Sequence, residues 1–133
     1  MKRLPNNALH KSLIKFLKEK QPVPVFDYLP EMAALPFITL GNVTVADQSA
    51  KVVEEAKVTV AIHIWSDYKG RFEVNNIAEC IISLLTSEQL DLSQDDFFVF
   101  AQEVTFYETY PEEDSGYNSV ISFELYIQNI KED

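Results

Sequence analysis

The stretch Lys57–Leu85, KVTVAIHIWSDYKGRFEVNNIAECIISLL, carries the two clearest periodicities of the 133-residue chain. Its first part alternates with a period of two, which is typical of a strand with one buried face. Val58, Val60, Ile62 and Ile64 point one way, and Thr59, Ala61, His63 and Trp65 point the other. After Gly70, the predicted N-cap, apolar residues recur at intervals of three and four, as on an amphipathic helix. Its stripe is Val74, Ile77, Ala78, Ile81, Leu84 and Leu85, and Glu73 suits the positive end of the helix. The stretch predicts a strand–helix unit over residues 57–86.

Weaker patterns on either side of this unit complete a prediction of the fold. An N-terminal helix over about residues 7–20 has an apolar side formed by Leu9, Leu13, Phe16 and Leu17. Short strands follow at 25–28 and 37–45, where Gly41 indicates a bulge, and a C-terminal hairpin covers about 97–128. We predict a single domain over residues 1–133 with an α+β fold. Two helices pack on one face of a two-layer, mostly antiparallel sheet of four or five strands.

Charge and composition exclude several classes of function. The net charge is −10, although residues 1–20 carry six Lys or Arg against Glu19 alone. An acidic body repels phosphate backbones, so we expect no sequence-specific nucleic acid binding. No apolar run approaches the ~20 residues of a membrane span, so we expect no membrane partner. One cysteine and two histidines make a disulfide, a metal site or a cofactor site unexpected, and the chain is expected in a cytoplasm.

No catalytic motif emerges from the remaining reactive side chains. The three glycines lie too far apart in sequence to form a phosphate-binding loop. His63 has no carboxylate or cysteine partner at a sequence spacing typical of a catalytic pair. Cys80 is predicted to be a buried structural thiol beside the helical stripe. The solvent-facing side of the sheet is predicted to carry Trp65, Tyr107 and Tyr126, and aromatic residues on such a face favour a protein interface. We therefore predict that the chain is not an enzyme.

Three motifs in order carry a family resemblance: VFDYLP at 25–30, LPFITLG at 35–41, and IHIWS at 62–66 followed by Gly70-Arg71. With them the chain resembles the tail-completion, or tail-to-head joining, proteins of long-tailed phages and prophages. The resemblance implies a non-enzymatic subunit, monomeric when free, that forms a hexameric ring in the virion. It implies contacts with the major tail tube protein and with the head-completion or connector protein. It places the subunit at the head–tail interface after synthesis in the bacterial cytoplasm. Asp47 and Lys51 match an Asp-aromatic-x-x-Lys stretch of many relatives, whereas Gln48 replaces the aromatic residue.

Two connections are predicted to provide the contacts with these partners. The 46–55 connection is longer than a β-hairpin requires, and the 110–118 turn is acidic. The candidate interface residues are Asp47, Gln48, Ser49, Lys51, Trp65, Glu112, Glu113, Asp114 and Tyr117. Two other hypotheses stay open at this point. One is a small enzyme or ligand-binding domain with a His63/Trp65 pocket, and the other is a small acidic adaptor or immunity protein.

Overall fold

The structure, a computed structural model, describes residues 1–132 and confirms the predicted α+β fold. Two helices and five strands follow one another in the described residues, and a short 3₁₀ turn at Ser93–Asp95 precedes β4. The bounds are α1 Asn6–Lys20, β1 Val25–Phe26, β2 Phe37–Asp47, β3 Glu55–Ser66, α2 Phe72–Ser87, β4 Phe97–Pro111 and β5 Tyr117–Asn129.

The strands form one sheet in the order β1-β2-β3-β5-β4. The short strand β1 pairs with β2 in parallel, and the other three pairings are antiparallel. Strand β3 lies in the middle, where Ile62 is opposite Leu40 on one side and Ile121 on the other. The strand with the strongest alternation in the sequence is therefore the central strand of the sheet.

One hydrophobic cluster joins the sheet to both helices. Every second residue of β3 is buried, as are the alternate residues Ile121, Phe123, Leu125 and Ile127 of β5. These side chains pack with buried residues of α1 (Ala8, Leu9, Leu13 and Leu17) and of α2 (Val74, Ala78, Ile81 and Leu85). Because only one side of the sheet is buried in this way, both helices lie on the same face. The opposite face, which we call the open face, carries the side chains that alternate with the core.

The details of α2 correct three expectations. The N-cap is Arg71 rather than Gly70, no side chain caps the helix, and Glu73 accepts a hydrogen bond of 2.6 Å from Ser66 Oγ. Cys80 is exposed, so the prediction of a buried thiol is wrong. At 100° per residue, Cys80 is turned well away from Ala78 and Ile81, the centre of the buried stripe. Leu84 lies at the edge of that stripe and is only half-buried, whereas Leu85 is buried.

Replacing Ile81 with alanine should therefore test the buried stripe. The side chain of Ile81 is fully buried, and we expect its truncation to lower the free energy of unfolding by about 2–4 kcal/mol. The matched control is Glu79→Ala, which changes an exposed residue of the same helix and should cost little. Urea unfolding midpoints of the two variants provide the measurement, and equal shifts would contradict the packing described here.

Strand β4 departs from a simple alternation because it contains two irregularities of register. They lie between Val99 and Ala101 and between Val104 and Phe106. Tyr107, opposite Ile121 and beyond both irregularities, lies on the helix side of the sheet, where its hydroxyl donates to Asn75 Oδ1 of α2 at 2.7 Å. The prediction that Tyr107 lies on the solvent-facing side is therefore wrong.

Candidate functional site

The open face is an unusual surface because large aromatic side chains stand on it without a covering layer. Phe98, Phe100 and Phe106 of β4 are 50%, 40% and 54% exposed. Phe100 lies with its ring centroid 6.4 Å from that of Phe98 and 6.0 Å from that of Tyr126. Exposed aromatic side chains grouped in this way are typical of a protein interface.

A second aromatic row on the open face runs across β1, β2 and β3. Ring centroids are separated by 5.9 Å between Phe26 and Phe37, 6.4 Å between Phe37 and Trp65, and 5.8 Å between Trp65 and His63. The Trp65 indole N–H donates to Thr39 Oγ1 at 3.0 Å. These contacts make the row a packed part of the sheet.

The surroundings of His63 indicate a structural role. Its Nδ1 lies 3.4 Å from Asn118 Oδ1, so its partner is an amide rather than the carboxylate or thiol of a catalytic pair. The predicted bulge at Gly41 is confirmed by the register shift between Leu40 and Val43. A Cβ at Gly41 would come within 2.7 Å of the His63 ring, so glycine makes room for the imidazole there.

Strand β2 ends at Asp47 and β3 begins at Glu55, so both strands extend into the 46–55 connection. Only residues 48–54 form its hairpin loop. Gln48 N donates to Glu55 O at 2.9 Å, and Ser49 Oγ accepts from Glu55 N at 3.1 Å. The side chain and backbone of Ser49 hydrogen-bond to Asp47 and hold the pKa of that carboxyl below its usual value. Lys51 is exposed at the tip, beside Val52, whose side chain is 92% exposed. The chain's first residues lie beside this loop, since Arg3 N donates to Glu54 Oε1 at 3.3 Å.

The second predicted segment forms the turn between β4 and β5. Glu113 and Asp114 are exposed in it, and Glu112 N donates to Gly116 O at 3.0 Å. Tyr117, at the start of β5, lies under the Arg71 guanidinium, whose carbon is 4.7 Å from the ring centroid. This turn packs against the end of β3, where Tyr117 pairs with Ser66.

The structure therefore divides the predicted interface residues between the two ends of the sheet. Asp47, Gln48, Ser49 and Lys51 form one group, which we call the hairpin end. Trp65, Glu112, Glu113, Asp114 and Tyr117 form the other, which we call the turn end. The twelve residues of β3 separate the two ends by roughly 36 Å at ~3.3 Å per residue.

Sequence reasoning missed the three exposed phenylalanines of β4. The sequence contains a pattern that indicates their exposure, because Phe98 and Phe100 alternate with the buried Phe97 and Val99. The same alternation that predicted the core of β3 places them on the open face.

One groove of the molecule lies away from His63 and Trp65. It has a volume of about 440 Å³ and runs between α1 and the 88–95 segment, with Phe16, Leu90 and several charged side chains in its lining. Within residues 1–132, no group of three or more His, Cys, Asp or Glu side chains is placed to hold a metal ion. In the same part of the chain, no helix is both long and apolar enough to cross a membrane.

Comparison with known protein families places the chain in one of them. The family described as tail completion protein gp17 matches residues 14–128, a range that contains β1 to β4, α2, both ends of the sheet and all of β5 except its last residue. The chain belongs to the gp17 tail completion family. It is therefore a structural and assembly protein of a phage-type tail, located in the virion, as the sequence motifs predicted.

A solved structure has the same fold as this member of the family. A chain in the structure titled "Virion of native gene transfer agent (GTA) particle" aligns with a TM-score of 0.83 at 19% sequence identity. The alignment covers 92% of this chain and 96% of that chain, so the two share the fold over most of their lengths. No curated protein matches the chain.

Proposed function

We propose that the chain is a single-domain ring subunit that completes the tail and joins it to the head. The observation that carries this proposal is the family match over residues 14–128, which includes the hairpin end, the turn end and the open face. The ring is proposed to be a hexamer in the virion, formed by subunits that are monomeric when free. Its partners are the major tail tube protein on one side and the head-completion or connector protein on the other.

The shape of the subunit supports a position between two partners. The hairpin end and the turn end are both built from connections, and they lie at opposite ends of a rigid sheet. A ring whose subunits stand with these strands along the tail axis would present one end to the tube and the other to the connector. Connections presented by a rigid scaffold are common binding surfaces, which supports this assignment of the two ends.

The role is proposed to be non-enzymatic. His63 contacts Trp65 and Asn118 rather than an acid or a thiol, and Cys80 stands on the exposed side of α2. The net charge of −10 supports passage of DNA through the ring, because an acidic channel wall repels the phosphate backbone.

Complementation tests this function. Cells that produce the particle but lack the gene should accumulate filled heads and separate tails, and expression of the intact chain should restore joined particles. Electron microscopy of the lysate counts the joined and separate forms. Normal yields of joined particles without the gene would overturn the proposal.

A further inference from the structure

Two surfaces of the molecule are complementary in charge. They lie on the two opposite outer sides of the subunit, one on the sheet layer and one on the helix layer. The first is the acidic and aromatic part of the open face, formed by Phe98, Phe100, Glu103, Phe106, Glu108 and Glu124. The second is the outer side of α1, which we call the lysine face, formed by Lys11, Lys15 and Lys18. The sheet layer carries the first surface and the helix layer carries the second.

The acidic part of the open face has an unfavourable arrangement in the isolated subunit. Glu103 of β4 lies directly opposite Glu124 of β5 on the same face, and like charges in that position destabilise a sheet. The Lys57 ammonium lies 3.6 Å from Glu124 Oε1, and within residues 1–132 no ion pair to Glu103 is found. Tyr126 also donates to Glu124, at 3.1 Å. The glutamates, together with three exposed phenylalanine rings, fit a partner that is both basic and partly apolar.

The lysine face has these two properties. Lys11, Lys15 and Lys18 recur at intervals of four and three, so they stand on one side of α1, opposite the buried Leu9 and Leu13. All three are exposed, and in the described residues only Lys11 has an ion pair within the chain, at 2.9 Å from Asp95. A shallow groove of about 470 Å³ along this face has the half-buried Ile14 in its lining.

We infer that the lysine face of one copy docks on the open face of the next copy, and that this contact builds the ring. The inference rests on the proposed ring and names the surfaces that form it. A contact between two different surfaces on opposite sides of a subunit is head-to-tail, and such contacts close into a ring when the rotation between neighbours allows it. The contact would neutralise the Glu103–Glu124 pair and bury the phenylalanine rings.

Two charge-reversal variants test this pairing. The first is Lys15→Glu with Lys18→Glu, and the second is Glu103→Lys with Glu108→Lys. Either variant alone places like charges across every subunit contact, so we expect roughly a tenfold or greater loss of joined particles in the complementation assay. When the two are expressed together, each reversed surface meets its complement and an alternating ring can form. We therefore expect the mixture to restore most of the yield.

Several controls separate the possible outcomes. Glu79→Lys changes an exposed residue of α2 outside both surfaces and should join particles normally. The thermal midpoint of each variant should stay near that of the original chain. Where a double variant unfolds, the two single variants Lys18→Glu and Glu108→Lys replace the double variants as a milder pair. Normal yields from each variant alone would overturn the inference while leaving the proposed function intact. Failure of the mixture when each variant is folded would overturn it too, because the two surfaces would then bind other partners. Failure of the intact chain to complement would instead overturn the proposed function.

Discussion

Deleting Gln48–Lys51 should abolish the joining of heads to tails while leaving the subunit folded. The deletion removes four exposed residues of the hairpin end and leaves Val52, Val53 and Glu54 to connect β2 with β3. Three-residue connections are common in β-hairpins, so the sheet can still close. The lost hydrogen bonds of Gln48 and Ser49 lie at the surface, and the thermal midpoint should fall by only a few degrees.

The deletion affects joining because the hairpin end is proposed to contact a partner and to become ordered there. In the free subunit, amides 47–52 should exchange with solvent much faster than those of Val58–Ile64, which lie in the central strand. Gln94→Ala is a suitable control, since it changes an exposed residue outside both ends of the sheet. The prediction would be contradicted by unfolding of the deletion variant, by normal joining, or by equal protection of the two sets of amides.

Replacing Gly116 with alanine should destabilise the subunit strongly for a change at its surface. Gly116 has a φ of +84°, and a Cβ there would come within 1.9 Å of the Ser66 carbonyl oxygen. Both the backbone conformation and the collision with rigid backbone atoms oppose the extra methyl group. We expect the free energy of unfolding to fall by at least about 2 kcal/mol, since each effect alone costs about 1–3 kcal/mol.

Gly70→Ala is the matched control for this change. A Cβ at Gly70 would have its nearest contact at 3.9 Å, to the flexible Tyr68 ring, and its φ lies outside the left-handed region. We expect this variant to unfold at nearly the same urea concentration as the original chain. Equal midpoints for the two glycine variants would contradict the close packing of the β4–β5 turn against β3.

Much of the fold could be predicted because the strongest sequence patterns coincide with its central elements. The alternation from Val58 to Ile64 describes the middle strand, and the neighbouring strand β5 repeats it. The stripe of α2 was also correct in its centre, at Ala78 and Ile81. Errors arose at the ends of the pattern, at Leu84 and at the N-cap. Moving the end of a helix or of its apolar stripe by one residue hardly changes the hydrophobic periodicity, so the periodicity does not fix these ends.

The two register irregularities of β4 do not explain the error at Tyr107, because the second cancels the reversal of faces that the first introduces. A bulge adds a residue to one strand and reverses the alternation beyond it, and nothing in FFVFAQEVTFYETYP signals it in the way that Gly41 does in β2. Only residues between the two irregularities, such as Gln102 and Val104, lie on the face opposite to the one that strict alternation assigns. Strict alternation from the buried Val99 places Phe106 on the open face and Tyr107 on the helix side, as the structure does.

The sequence proposes the candidate interface residues one by one but does not give their arrangement in space. The sequence identified both connections, whereas their separation by the length of β3 follows from the strand order and register. The complementarity of the open face and the lysine face likewise depends on two layers packing back to back. The charge imbalance between residues 1–20 and the rest was visible in the sequence, and the structure places its basic residues opposite an acidic surface.

A reconstruction by electron cryo-microscopy of the head–tail junction of complemented particles tests the central claim most directly. We expect six copies of the chain in one ring between the tail tube and the connector, with the hairpin end and the turn end contacting different partners. Density for the chain at the distal tip of the tail, or its absence from the junction of joined particles, would contradict the proposed role.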